Sequence, residues 1–177
     1  MIFTETEIPG AFVVDLKQLT DERGFFARQF CAKEFEDAGI RPEVVQCNVS
    51  FNHKAGTLRG MHMQDETAPE SKFVRCVRGT IYDVIVDLRP GSETYGRHIG
   101  VELSADNRRG LYVPPLFAHG YLTLTDDTEV LYQVGGYYTP SAERGFRYND
   151  PSFNISWPRE AEVISDKDAA WPLRETS

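Results

Sequence analysis

The sequence predicts an all-β chain, a jelly-roll β-sandwich or barrel with a few short helices, and three observations carry that prediction. The stretch "TIYDVIVDLR" alternates strictly, with Tyr82, Val84, Val86 and Leu88 on one face and Ile81, Asp83, Ile85 and Asp87 on the other. The segments "RHIGVELS", "GLYVPP" and "TEVLYQVGGYY" that follow are short and rich in β-branched or aromatic residues, with Gly, Pro, Asn or Asp between them. Helical patterning is confined to two short places. Short strands at this spacing suit an antiparallel sandwich or barrel rather than βαβ units.

Taken in order, "AKEFEDAGI" (32–40) predicts a helix that Gly39 ends and Pro42 keeps from continuing. "FVRCVRG" predicts a strand, and "RGT" (78–80) a hairpin turn into the alternating strand after it. Near the end, "SDKDAA" predicts one further helical turn with Ser165 as its cap. No low-complexity tract, Ser/Gly linker or internal repeat interrupts the chain, so residues 1–177 are expected to form one domain.

The totals fit a folded globular protein: 177 residues, 41% hydrophobic and 12% aromatic. A net charge of −8 argues against a general nucleic-acid or anionic-membrane surface, though not against a local basic pocket for a small anion. Three cysteines without paired spacing indicate neither a disulfide framework nor a zinc ribbon. "MIFTETEIPG" lacks the basic and apolar regions of a signal peptide, and no apolar run reaches the length of a membrane span. The expectation is a soluble protein of a reducing compartment, the cytoplasm.

Candidate chemistry begins with "TLRGMHMQ", which places His62 three residues after Arg59 inside an apolar stretch. The imidazole is either satisfied locally in the core or aimed into a pocket to move a proton. His119 in "LFAHGYL" follows two prolines and precedes Gly120, a glycine suited to close backbone approach; by itself it fits a turn between strands equally well. Arg23 and Arg59 each adjoin a glycine, and a guanidinium forks onto phosphate oxygens as a lysine does not. Arginines beside histidine suggest an anionic ligand, whereas Arg23 alone suits a surface ion pair with Asp21 or Glu22. A metal site would have to draw on His62, Glu66 and His119; the position two after His62 is Gln64 rather than a second imidazole, so a metal-free site is expected.

"DERGFF", "VVQCNVSFNHKAGTLRGMHMQ", "KFVRCVRGTIYDVIVDLRPGSETYG", "VPPLFAHGYL", "LYQVGGYYTPSAERGFRYNDP" and "ISWP" stand in one order, from about residue 5 to the "SDKDAAWPL" end. In that order the chain resembles the dTDP-4-dehydrorhamnose 3,5-epimerase family. The resemblance implies a cupin-like jelly roll, a homodimer with strand exchange between subunits, and neither metal nor other cofactor. It implies a nucleotide-diphosphate 4-keto-6-deoxy sugar as substrate, epimerised beside its ketone.

By the same resemblance His62 matches the base and Asp168 its carboxylate partner, Tyr132 the acid on the opposite face, and Lys72 the cation near the sugar ketone. A proton beside a ketone is removable when the enolate is stabilised, which requires a base on one face and a proton donor on the other. A phenol with a pKa of roughly 10 suits protonation of a far more basic enolate carbon. Arg23, Arg59, His119 and Tyr138 match positions around the pyrophosphate and sugar, and Gln46 a position at the base ring.

Two departures stand out. Met63 follows the base histidine where the family has tyrosine, and Arg28 stands where it has glutamate. Arginine offers only donors, which suits acceptor edges of cytosine or guanine better than the N3–H of thymine. A CDP- or GDP-linked sugar is therefore an alternative to dTDP. A metal-dependent cupin enzyme, a non-catalytic sugar-binding jelly roll and a 3,4-ketoisomerase are the competing readings. The intact set His62, Asp168, Lys72 and Tyr132 argues against a non-catalytic chain, and inversion at C3 and C5 is expected, with inversion at C3 alone as its alternative.

Overall fold

A computed structural model describes residues 1–41 and 43–174. Among them the strands are β1 (Ile2–Glu5), β2 (Phe12–Asp15), β3 (Leu19–Asp21), β4 (Gly24–Phe26), β5 (Gln46–Asn52), β6 (Thr57–Gln64) and β7 (Lys72–Arg78). They continue with β8 (Thr80–Asp87), β9 (His98–Ser104), β10 (Gly110–Val113), β11 (Phe117–Thr123), β12 (Thr128–Val134), β13 (Glu143–Gly145) and β14 (Val163–Ile164). Two short α-helices, α1 (Ala32–Asp37) and α2 (Asp166–Ala169), and one 3-10 turn (Pro140–Ala142) complete the described elements.

One sheet runs β1-β2-β10-β7-β12-β5 and the other β13-β6-β11-β8-β9, with β14 added in parallel on β6. The eight strands β5 to β12 thus form a jelly roll, its four-strand orders 5-12-7-10 and 6-11-8-9 facing each other. Strands β3 and β4 make a separate two-stranded hairpin.

Alternation decides what each face buries. Ile81 and Ile85 join Val74, Cys76, Leu111, Val130 and Tyr121 in the core between the sheets. Val84 and Val86, on the other face of β8, pack with Met61, Ala118, Phe146 and Phe153 on the far side of the second sheet. On the outer face of the first sheet α1 covers the part formed by β1, β2, β10 and the start of β7, where Phe35 packs edge-on against Phe73 with ring centroids 5.1 Å apart. Burying a side chain of this size stabilises by about 2 kcal/mol.

The helix expected over 32–40 is observed as α1; Gly39, at φ +77°, terminates it, and Pro42 lies outside the described residues. Ser165 caps α2, its hydroxyl accepting from the Asp168 amide at 3.1 Å. The "RGT" turn is not a hairpin. β7 pairs with β10 and β12 while β8 pairs with β9 and β11, so Gly79 carries the chain from one sheet to the other. A turn signal reports that the chain reverses, not which strands then share hydrogen bonds. Among the described residues no helix is long and apolar enough to cross a membrane.

Candidate active site

His62 lies on β6 and His119 on β11, directly opposite each other across the antiparallel pair. His119 is therefore a residue inside a strand, not in the turn that its glycine and prolines also suited. Strict alternation along β6 would send Arg59 and His62 to opposite faces. The register prevents this: His119 pairs with His62 and Tyr121 with Arg59, so three steps on β6 match two on β11. This one-residue bulge brings both side chains to the cavity side. Gly60 makes it possible, with φ at +130° and its Cα packed so closely on β11 that an added Cβ would stand 2.5 Å from Gly120 Cα. The close approach expected of Gly120 is to this strand.

The cavity, about 290 Å³, is lined by Arg59, His62, Lys72, His119, Tyr132 and Asp168, together with Ser50, Tyr121, Ser165 and Lys167. The second sheet supplies the imidazoles and the first supplies Lys72 and Tyr132, so a flat ligand between them meets imidazole on one side and phenol on the other.

Nε2 of His62 stands 2.6 Å from Oδ1 of Asp168, and Oδ2 of the same carboxylate accepts the Gly60 amide at 3.2 Å. Burial alone would raise the Asp168 carboxyl. The hydrogen bond and charge of His62, with the Gly60 amide and the Ser165 hydroxyl, outweigh it and hold the group below the usual aspartate value. A carboxylate so placed fixes which ring nitrogen carries a proton and steadies the imidazolium after proton capture.

Opposite, burial pushes the Tyr132 phenol up, Arg59 opposing and Glu70 reinforcing the shift. The group therefore stays protonated through the neutral range, as a proton donor must. Lys72 Nζ donates to Glu70 Oε1 at 2.5 Å, and the other Glu70 oxygen accepts from Gln64 at 3.2 Å. Arg59 is aimed by Nε donating to Asn52 Oδ1 at 2.8 Å; Asn52 in turn donates to the Tyr121 hydroxyl, which shares a 2.7 Å hydrogen bond with Ser50.

Several contributors escape a reading of the sequence. His119 Nε2 stands 2.7 Å from Oδ1 of Asp83, a fully buried carboxylate. Its signal was present: Asp83 and Asp87 alternate with Ile81 and Ile85, and a carboxylate on an apolar face requires a partner. Tyr121, Ser50 and Lys167, which only the fold brings to the cavity, and Glu70, which reaches it only through Lys72, have no comparable signal.

Other expected residues lie elsewhere. Arg23, on the β3–β4 hairpin segment, has an 85% exposed side chain and pairs with Asp21 at 2.5 Å, the surface ion pair that the residues alone suggested. Arg28 donates to Glu34 at 2.8 Å, so its guanidinium is already engaged by a carboxylate. Gln46 accepts the Tyr138 amide at 3.2 Å, and the Tyr138 hydroxyl donates to Glu143 at 3.1 Å; these two meet each other outside the cavity lining. Glu66 is exposed and stands apart from His62 and His119, and among the described residues no three His, Cys, Asp or Glu side chains gather as a ligand set.

A family model described as dTDP-4-dehydrorhamnose 3,5-epimerase matches residues 5–175. Over 165 residues the chain is 46% identical to the dTDP-4-dehydrorhamnose 3,5-epimerase of Shigella flexneri, covering 93% of this chain and 91% of that protein. The structure is similar to that of the Bacillus anthracis dTDP-4-dehydrorhamnose 3,5-epimerase with TDP and PPi bound, with TM-score 0.94, 40% identity and coverage of 98% and 99%. It is also similar to a 3'-monoepimerase of Streptomyces bikiniensis in complex with dTDP-quinovose, with TM-score 0.86, 33% identity and coverage of 96% and 86%.

Proposed function

The chain belongs to the dTDP-4-dehydrorhamnose 3,5-epimerase family and is an epimerase, and from that premise we propose that it inverts C3 and C5 of a dTDP-linked 4-keto-6-deoxyhexose. The observation that carries the reading is the His62–Asp168 pair at 2.6 Å, on a cavity whose facing wall holds Tyr132 and Lys72. His62 takes the proton from carbon beside the ketone, and Asp168 steadies the imidazolium. Lys72 stands by the oxyanion that forms at the carbonyl, and Tyr132 returns a proton to the opposite face. Arg59 and His119 bind the sugar and its pyrophosphate from the second sheet, a charge pattern that suits a diphosphate in an otherwise acidic chain.

Thymidine is the favoured nucleoside. The argument for cytosine or guanine rested on the donor-only chemistry of Arg28, and one of those donors is given to Glu34. The Bacillus anthracis and Streptomyces bikiniensis proteins both carry thymidine nucleotides. A homodimer is part of the same reading. The hairpin with Arg23 and the segment with Arg28 stand away from the chain's own cavity, and Val49, Phe51 and Val77 leave apolar surface exposed on the first sheet.

Inversion at C3 alone is the second reading, favoured by the likeness to the 3'-monoepimerase. Incubation with dTDP- and CDP-linked 4-keto-6-deoxy sugars in deuterated water, with the label located by mass, separates the cases. Label at C3 and C5 of the dTDP sugar supports the first reading and label at C3 only the second. Label in the CDP sugar alone overturns the choice of nucleoside.

A further inference from the structure

Asp168 sits on a helix of four residues, too short to hold its own place. Upstream, β14 ties the chain to β6. Downstream, the chain folds back over the loop that follows β13. The Trp171 indole lies on Gly145, where an added Cβ would stand 2.5 Å from Trp171 Cε2, and Gly145 is the residue paired with His62. The Pro172 carbonyl accepts the Arg147 amide at 3.3 Å, and the Arg174 amide donates to Asp150 Oδ2 at 2.5 Å. The Arg174 guanidinium spreads over the rings of Tyr95 and Phe153, 4.9 and 5.6 Å from their centroids.

Asp150 is the fixed point of this closure. It is 1% exposed, and its other carboxylate oxygen accepts the Ser152 amide at 2.8 Å. Burial would raise its carboxyl, yet the Arg174 and Ser152 amides hold it below the usual aspartate value, so it remains a charged acceptor at neutral pH. Nothing in the cavity touches it.

We propose that Asp150 is a positioning residue for the His62–Asp168 pair, clasping the tail after α2 so that the Asp168 carboxylate stands at the imidazole. This rests on the epimerase reading above. The clasp acts on the chain, not on the substrate, so it affects the chemical step rather than binding; a displacement of about 1 Å at a reacting group costs up to roughly 100-fold in rate.

The test is a double-mutant cycle with Asp150→Ala and Asp168→Ala, scored by kcat, KM and dTDP affinity from calorimetry. Asp150→Ala is expected to lower kcat by roughly 10- to 100-fold, with KM and dTDP affinity within about twofold of wild type. In the Asp168→Ala background the same change is expected to alter kcat by less than about twofold, because its effect passes through the missing carboxylate. Asp150→Asn, which keeps an acceptor oxygen, recovers part of the loss. If Asp150→Ala also loses dTDP binding, Arg174→Pro, which removes the amide donor and leaves the buried carboxylate in place, must show the kcat loss by itself. Wild-type kcat in Asp150→Ala, or additive losses in the double variant, overturns the proposal. A readout without substrate separates this from failure of the epimerase reading: the hydrogen-bonded imidazole proton of His62 in the NMR spectrum must shift in Asp150→Ala, and an unmoved signal refutes the clasp whatever the enzyme turns over.

Discussion

His62 and Asp168, 106 residues apart in sequence, meet at 2.6 Å on the wall of the cavity. Removing the carboxylate leaves the imidazole without the partner that sets its tautomer. Asp168→Asn is expected to lower kcat by about 100-fold or more while KM changes little, as measured by steady-state kinetics on the dTDP-linked keto sugar. A loss confined to KM would place Asp168 in binding instead.

Tyr132 faces the imidazoles from the other sheet. Tyr132→Phe is expected to separate the two halves of the reaction. Exchange of the sugar C–H with solvent continues, while formation of the inverted product slows by about 100-fold. Both are read from one NMR time course in deuterated water. Equal slowing of the two would remove Tyr132 from the role of proton donor.

Gly60 holds the bulge that turns Arg59 and His62 to the same side. In Gly60→Ala the new Cβ meets Gly120 Cα at 2.5 Å, backbone against backbone, in a φ region that alanine rarely adopts. The expected cost is about 3 kcal/mol or more, measured by chemical denaturation, together with loss of activity in whatever remains folded. A stable, active Gly60→Ala protein would mean that the two strands can part without harm to the site.

Asp87, fully buried at the end of β8, accepts from Arg89, Ser92 and Thr94. Burial opposes its ionisation, yet those hydrogen bonds hold its carboxyl far below the unfolded value of 3.8. A carboxyl with a depressed folded pKa contributes stability that is complete above its unfolded pKa and lost as pH falls through the range below it. Stability should therefore fall as pH drops below about 4. Asp87→Asn is expected to cost about 2 kcal/mol at pH 7 and to flatten that acid-side slope. Denaturation midpoints across pH 3 to 7 check this, and an unchanged slope assigns the acid loss elsewhere.

The strands were legible because two-residue alternation is a local property. β8 shows it most plainly, with Ile81 and Ile85 in the inter-sheet core and Val84 and Val86 on the opposite face. The Ser165 cap was legible for the same reason, its partner being three residues away. What local pattern cannot hold is pairing. "RGT" marked a reversal correctly, yet the strands on its two sides belong to different sheets. The bulge at Gly60 is similar: alternation alone separates Arg59 from His62, and only the register with β11 reunites them. His62, Asp168, Lys72 and Tyr132 were nameable through family resemblance, and the structure places all four on one cavity. Asp83 and Glu70 became visible only once partners distant in sequence, or on another strand, were in place.

The central claim is that His62 removes a proton from carbon beside the sugar ketone. It is tested most directly by following deuterium entry into the dTDP-linked 4-keto-6-deoxyhexose with wild-type protein and with His62→Asn, at equal dTDP affinity. The account predicts label at the carbons flanking the ketone with wild type, and a rate lower by about 1,000-fold with the variant. Exchange that persists at the wild-type rate in His62→Asn would contradict it.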